Sequence, residues 1–266
     1  MQTLRILAAA TLAALSFGAH AVGQLADLSV YDRAARRELP VYWHEGKAYV
    51  VGNPGNEYQV TLRSRSGEDL LAVVSVDGVN VLSGETAHTH QGGYVVGGGE
   101  RVAIRGWRKS LDEIASFYFT SLGDSYAART GRPANVGVIG VALFQRKPRY
   151  DPAPYSEVTP DEFRPPLRRN EADSPREKKS LQAPAPAASG AMPSPYAESA
   201  PLGTGHGRRE TSHVRWTQFE RSTSDPVERI TIHYDSYRNL VARGIVAAPI
   251  VPRNPQPFPG FAPDPV

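Results

Sequence analysis

From about residue 22 to residue 145 apolar and polar side chains alternate with a period of two, broken by turn residues every 8–12 positions. Side chains on a strand point alternately to its two faces, so this rhythm predicts half-buried β-strands, not helices. Glu57 to Ser64 places Tyr58, Val60 and Leu62 on one face and Gln59, Thr61 and Arg63 on the other. Leu70 to Val76 is almost continuously apolar, as a strand covered on both faces must be. Asp77-Gly78 follows and fits the two positive-φ positions of a type I′ hairpin turn leading into Val79 to Leu82. Gly97-Gly98-Gly99 separates Gly93–Val96 from Arg101–Arg105 and reads as a second hairpin. Asn135 to Phe144 predicts an interior strand, with a bulge or close backbone approach at Gly137 and Gly140. Ser110 to Glu113 has the form of a capping box, and Asp124 to Thr130 predicts a short helix stopped by Gly131 and Pro133. Nine or ten strands with one or two helical turns point to a mainly β fold, an antiparallel β-sandwich or jelly-roll-like barrel.

The pattern then changes. Residues 146–212 hold 12 of the 23 prolines, 11 basic and 9 acidic side chains, and almost no Ile, Leu or Val. Such a stretch buries too little apolar area to offset roughly 1–2 kcal/mol of backbone entropy per residue, and is expected to be a disordered, proline-rich insertion. Gly203-Thr204-Gly205-His206-Gly207 resembles a phosphate-binding loop but lacks the flanking strand and helix, and reads as a hinge where the chain re-enters the fold. Residues 213–247 are patterned again. Strands are expected over 213–221, 227–234 and 239–246, the last two forming a C-terminal β-hairpin. So few strands are marginal alone in water and should dock on the sandwich of residues 22–145, in the same copy or in another. The tail, 248–266, is proline-rich coil.

Composition narrows the compartment and the chemistry. Arg5, the 12-residue apolar run Ile6–Phe17 and Ala19-His20-Ala21 form a secretory signal peptide over residues 1–21, too short in its apolar core to span a bilayer. A cysteine-free chain with such a leader fits a bacterial periplasm, or secretion, and no membrane span is expected after cleavage. Having no Cys excludes disulfides, thiolate metal sites and a thiol nucleophile. A net charge of +3 gives no case for nucleic-acid binding.

Three constellations carry candidate chemistry. His88-Thr89-His90 would put two imidazoles on one face of a strand, a spacing that suits a metal. Cupins use such a His-x-His, but Leu82, Tyr94 and Val95 stand where their motif needs Gly and Glu. A third ligand would come from Glu85, His44, His206, His213 or His233. Gly123-Asp124-Ser125 matches the core of Gly-Asp-Ser esterases, but no Asp-x-x-His follows to supply the base, and a cap on the short helix is the competing role for Asp124 or Ser125. Trp43, Trp107 and Trp216 are candidate binding aromatics, with core packing as the alternative. No catalytic residue and no cofactor is assigned.

The string Gly106–Ser110, with Ala115–Thr120, Asp124–Pro133 and Val136–Phe144, resembles a family of uncharacterised exported proteobacterial proteins. The likeness extends over much of residues 40–145 and more loosely over 205–246. It implies export and a single fold, and brings no activity with it. The expectation is therefore an exported β-sandwich with a non-catalytic binding or structural role in the cell envelope, its partner an envelope protein or polysaccharide. The alternatives are a metal enzyme at His88/His90, a hydrolase at Ser125, or a carbohydrate- or peptidoglycan-binding module.

Overall fold

The computed structural model describes residues 21–148 and 200–248. The expected leader but for Ala21, most of the proline-rich insertion and all but Ala248 of the tail lie outside the described residues. Alternating sequence becomes two seven-stranded sheets, numbered here in chain order. The first holds β1 (Ala26–Asp32), β2 (Arg37–Glu38), β5 (Glu57–Ser64), β9 (Arg101–Ile104), β10 (Gly106–Arg108), β11 (Glu113–Ser121) and β13 (Leu202–Thr211). The second holds β3 (Tyr42–His44), β4 (Lys47–Gly52), β6 (Leu70–Val76), β7 (Val79–Asn80), β8 (Tyr94–Val96), β12 (Val138–Gln145) and β14 (Glu228–Ser236). Pairing is antiparallel except between β14 and β4, which run parallel. Alternate residues of both sheets meet in one core: Leu28, Tyr58, Val60 and Leu62 from the first, Val50, Leu70, Val74, Ile139 and Ile232 from the second. This is the face-to-face packing of a sandwich.

β5 and β6 occupy the segments their patterns predict, and β6 is covered on both sides. Asp77 and Gly78 take φ of 54° and 72°, as a type I′ turn requires, and bring Val76 opposite Val79. The triple glycine is not a hairpin. β8 pairs with β6 in the second sheet and β9 with β5 in the first, so Gly97–Gly99 carries the chain across the sandwich. A side chain at Gly98 would meet the Gly67 carbonyl at 2.3 Å, which only glycine tolerates.

The C-terminal half fills structural positions in both sheets. β14 lies between β12 and β4, so β3 and β4 join the second sheet only through it. β13 pairs with β11 along nearly its whole length. This moves the expected boundary: residues 202–211 are a strand, not the end of the insertion. Two further segments differ from expectation. Residues 213–221 form no ladder. They strap the outer face of the second sheet, where Arg146 stacks over Phe219 at 4.6 Å and Arg221 over Phe144 at 4.0 Å. Residues 237–242 form helix α2 (Tyr237–Ala242) in place of a hairpin arm, because Ser236 caps it by accepting from Asn239 N–H.

A buried polar chain ties these late strands to the front half. When ionised, the Asp77 carboxylate can only accept, and this fixes the direction of the relay. Tyr58 donates to Thr204 Oγ1 (2.6 Å), Thr204 to Tyr234 Oη (2.7 Å), and Tyr234 to Asp77 Oδ1 (2.5 Å). Thr204 N–H also donates to Asp77 Oδ2 (2.8 Å) and Gly137 N–H to Oδ1 (2.9 Å). Three segments thus bond the carboxylate of Asp77, a residue that is 1% exposed, and a fourth, β5, reaches it through Thr204. Burial outweighs these hydrogen bonds and pushes the Asp77 carboxyl up from the usual 3.8 to about 6.

Candidate functional site

The three tryptophans separate. Trp107 is 2% exposed and packs edge-on against Phe117 with ring centres 4.8 Å apart, so it is a core residue and not a binding one. Trp216 stands 85% exposed on the strap, and Trp43 is 56% exposed at the edge of the second sheet. Replacing Trp107 with Ala is expected to cost roughly 3–5 kcal/mol in chemical denaturation, against under about 0.5 kcal/mol for Trp216→Ala.

Ser125 is fully buried at the start of helix α1 (Tyr126–Arg129). Its hydroxyl donates to the Leu122 carbonyl (2.7 Å) and accepts from Ala128 N–H (3.2 Å), so it works as the helix cap. His88 and His90 lie in a turn between β7 and β8, not on a strand, with their rings stacked 4.9 Å apart. His90 N–H donates to His88 Nδ1, which occupies one of the four ring nitrogens. Among the described residues no group of three or more His, Asp or Glu comes together to hold a metal ion. Of the proposed third ligands, His213 pairs with Asp112 on the strap and His206 lies on β13 between Trp107 and Tyr126.

The structure instead opens a groove of about 600 Å³ beside the first half of β14. Its origin is local. Glu45 and Gly46, with φ of 48° and 74°, turn β3 tightly into β4, so β4 begins only at Lys47. The ladder between β4 and β14 starts at Ala48 opposite Ile232, although β14 itself begins at Glu228. Residues 228–231 are therefore paired with β12 on one side and, among the described residues, have no strand on the other. Residues 21–24 and Trp43 rim the resulting slot. Both oxygens of the Glu228 carboxylate accept backbone N–H groups, from Gln24 and Leu25, each at 2.7 Å. Lys47 and Arg229 are exposed, and neither is ion-paired among the described residues. His233 shares the polar face of β14 with Arg229 and Thr231. Burial first, then Lys47 and Arg243, hold its imidazole below the usual range. Among the described residues the groove is thus lined by two cations and one carboxylate, Glu228, with neither cation in an ion pair.

Across β14 a second hollow, of about 190 Å³, continues over Gly140 and Ser75 to His88 and Thr89. Gly140 keeps this floor low. Arg229 and Thr231 line both hollows. The groove therefore brings Trp43 and His88 to the two flanks of one strand, while His90, Trp107 and Trp216 belong elsewhere. Lys47, Arg229 and Thr231 were not singled out from sequence. The signal for the last two was present, since they alternate with Ile230 and Ile232, but that their face stays uncovered depends on where the strap and α2 come to rest. No protein-family model, curated protein or solved structure matches the chain, so its resemblance to an exported family rests on the motifs alone.

Proposed function

We propose that the chain is an exported, non-catalytic binding module of the cell envelope, and that it engages an envelope protein or polysaccharide through the groove beside β14. The supporting observation is Trp43, more than half exposed on the edge of the second sheet, at the rim of a groove that also presents Lys47 and Arg229, neither ion-paired among the described residues. An amphipathic ring and fixed cations on strands form a preorganised surface, which loses little entropy on binding. The leader expected from residues 1–21 supplies the compartment.

The test is co-sedimentation of the mature protein with isolated envelope sacculi retaining their bound proteins. The wild type is expected to sediment in a salt-sensitive manner. Trp43→Ala and Arg229→Glu should each weaken binding at least about tenfold while leaving the melting temperature within about 2 °C, because both side chains are exposed. Equal sedimentation of wild type and both variants would overturn the assignment of the groove.

A further inference from the structure

We infer that the groove takes a peptide, added as a strand to the open edge of β14: an extended acidic segment of a partner protein, about four residues of it in the slot. The inference rests on the binding-module reading above and supplies its ligand class. It follows from the backbone. Tyr234 N–H donates to the Gly137 carbonyl on β12, and the register holds with a period of two along the pair. Main-chain groups of Ile232, Ile230 and Glu228 accordingly point to β12, and those of Arg229 and Thr231 point the other way, into the slot. The first bridge of the β4 ladder, Ile232 opposite Ala48, uses the Thr231 carbonyl, so among the described residues the Thr231 N–H and both main-chain groups of Arg229 are left without a strand partner. An unpaired strand edge is a template for another strand. At about 3.3 Å per residue, residues 228–231 offer roughly 13 Å of edge, enough for a four-residue segment continuing the line of β4. Lys47 and Arg229 flank that line and outnumber the one carboxylate lining the groove, Glu228, whose oxygens are turned to the N–H groups of Gln24 and Leu25, so charge favours an acidic strand. Trp43 of β3, which pairs with Ala48 of β4, stands at the rim to cover an alternate side chain of the incoming strand.

A glycan would use Trp43 and the cations but leave the main chain of Arg229 and Thr231 unpaired, and this separates the two ligand classes. The experiment is selection of a random octapeptide phage library on the full mature protein, followed by amide hydrogen exchange with a synthetic copy of the most enriched peptide. Acidic sequences with a period of two are expected to be enriched. The synthetic peptide should slow exchange at Arg229 and Thr231 at least tenfold. N-methylation at alternate peptide positions should weaken binding at least tenfold, as should Lys47→Glu or Arg229→Glu, exposed changes that leave the fold intact. The inference is overturned if no peptide is enriched, or if enriched peptides bind without protecting those two amides. If alginate, an acidic polysaccharide, binds in a Trp43-dependent manner while peptides do not, strand addition is wrong and the binding-module reading survives. If neither probe responds to Trp43→Ala, Lys47→Glu or Arg229→Glu, both fail.

Discussion

A chain ending at Lys147 is expected not to fold. Circular dichroism of this truncation should show no cooperative thermal transition where the full chain shows one. Removing β14 takes out the strand between β12 and β4, so β3 and β4 lose their only connection to the second sheet. It also removes Leu202, Ile230, Ile232 and Leu240, all buried. At about 1.5–3 kcal/mol for each buried aliphatic side chain the loss is roughly 6–12 kcal/mol, as large as the whole stability of a typical domain. A truncated chain that melts cooperatively at the same temperature would show that the front half is self-sufficient.

Asp77→Ala is expected to cost at least about 4 kcal/mol at pH 7 by urea denaturation. The substitution leaves Thr204 N–H, Gly137 N–H and the Tyr234 hydroxyl buried without an acceptor, at about 1–3 kcal/mol each when no water reaches them. It also forces Ala into a φ of 54°, which costs about another 1 kcal/mol. Asp77→Asn, tolerant of that backbone, isolates the charge. The folded carboxyl titrates above its unfolded value, so its stabilising contribution is complete below pH 3.8 and is lost as pH rises through about 6. Between pH 4 and pH 7 the wild type should therefore lose stability relative to Asp77→Asn, on the order of 2 kcal/mol. Glu57, which a hydrogen bond from Arg208 holds below its usual range, acts in the opposite sense, but it is present in both proteins and cancels in the difference. A wild type and an Asn variant with parallel stability profiles would contradict the burial of a charged Asp77.

How much of this was legible in the sequence depended on how local each cause is. β5, β6 and the Asp77-Gly78 turn are written in adjacent residues: alternation, an apolar run, a pair that accepts positive φ. β13 was not, because its glycines looked like a hinge. They are there for packing. A side chain at Gly205 would lie 2.1 Å from the Tyr118 ring, one at Gly203 2.6 Å from Ser125 and one at Gly207 2.4 Å from the Ser116 hydroxyl. Glycine at every second position, 203, 205 and 207, was the only strand-like mark, and it carries no hydrophobic signal. Helix α2 was misread because Leu240, Val241, Ile245 and Val246 suit either element, and the Ser236 cap decides it. Asp77 was recognised as a turn residue, but its role as the junction of two sheets depends on Thr204 and Tyr234, which lie 127 and 157 positions away. The binding groove was the least legible, since it arises from where β4 stops beside β14.

The central claim is that strands from both ends of the chain form one cooperative unit, closed through the Thr204–Tyr234–Asp77 contacts. Native-state hydrogen exchange in the full-length protein tests it most directly. The main-chain amides of Ile230 and Ile232 in β14, and of Thr204 in β13, should exchange only through global unfolding, with the same opening free energy as Ile139 and Val141 in β12. Opening of the β13 and β14 amides at several kcal/mol less than those of β12 would mean that the late strands come and go on a front half that stands without them.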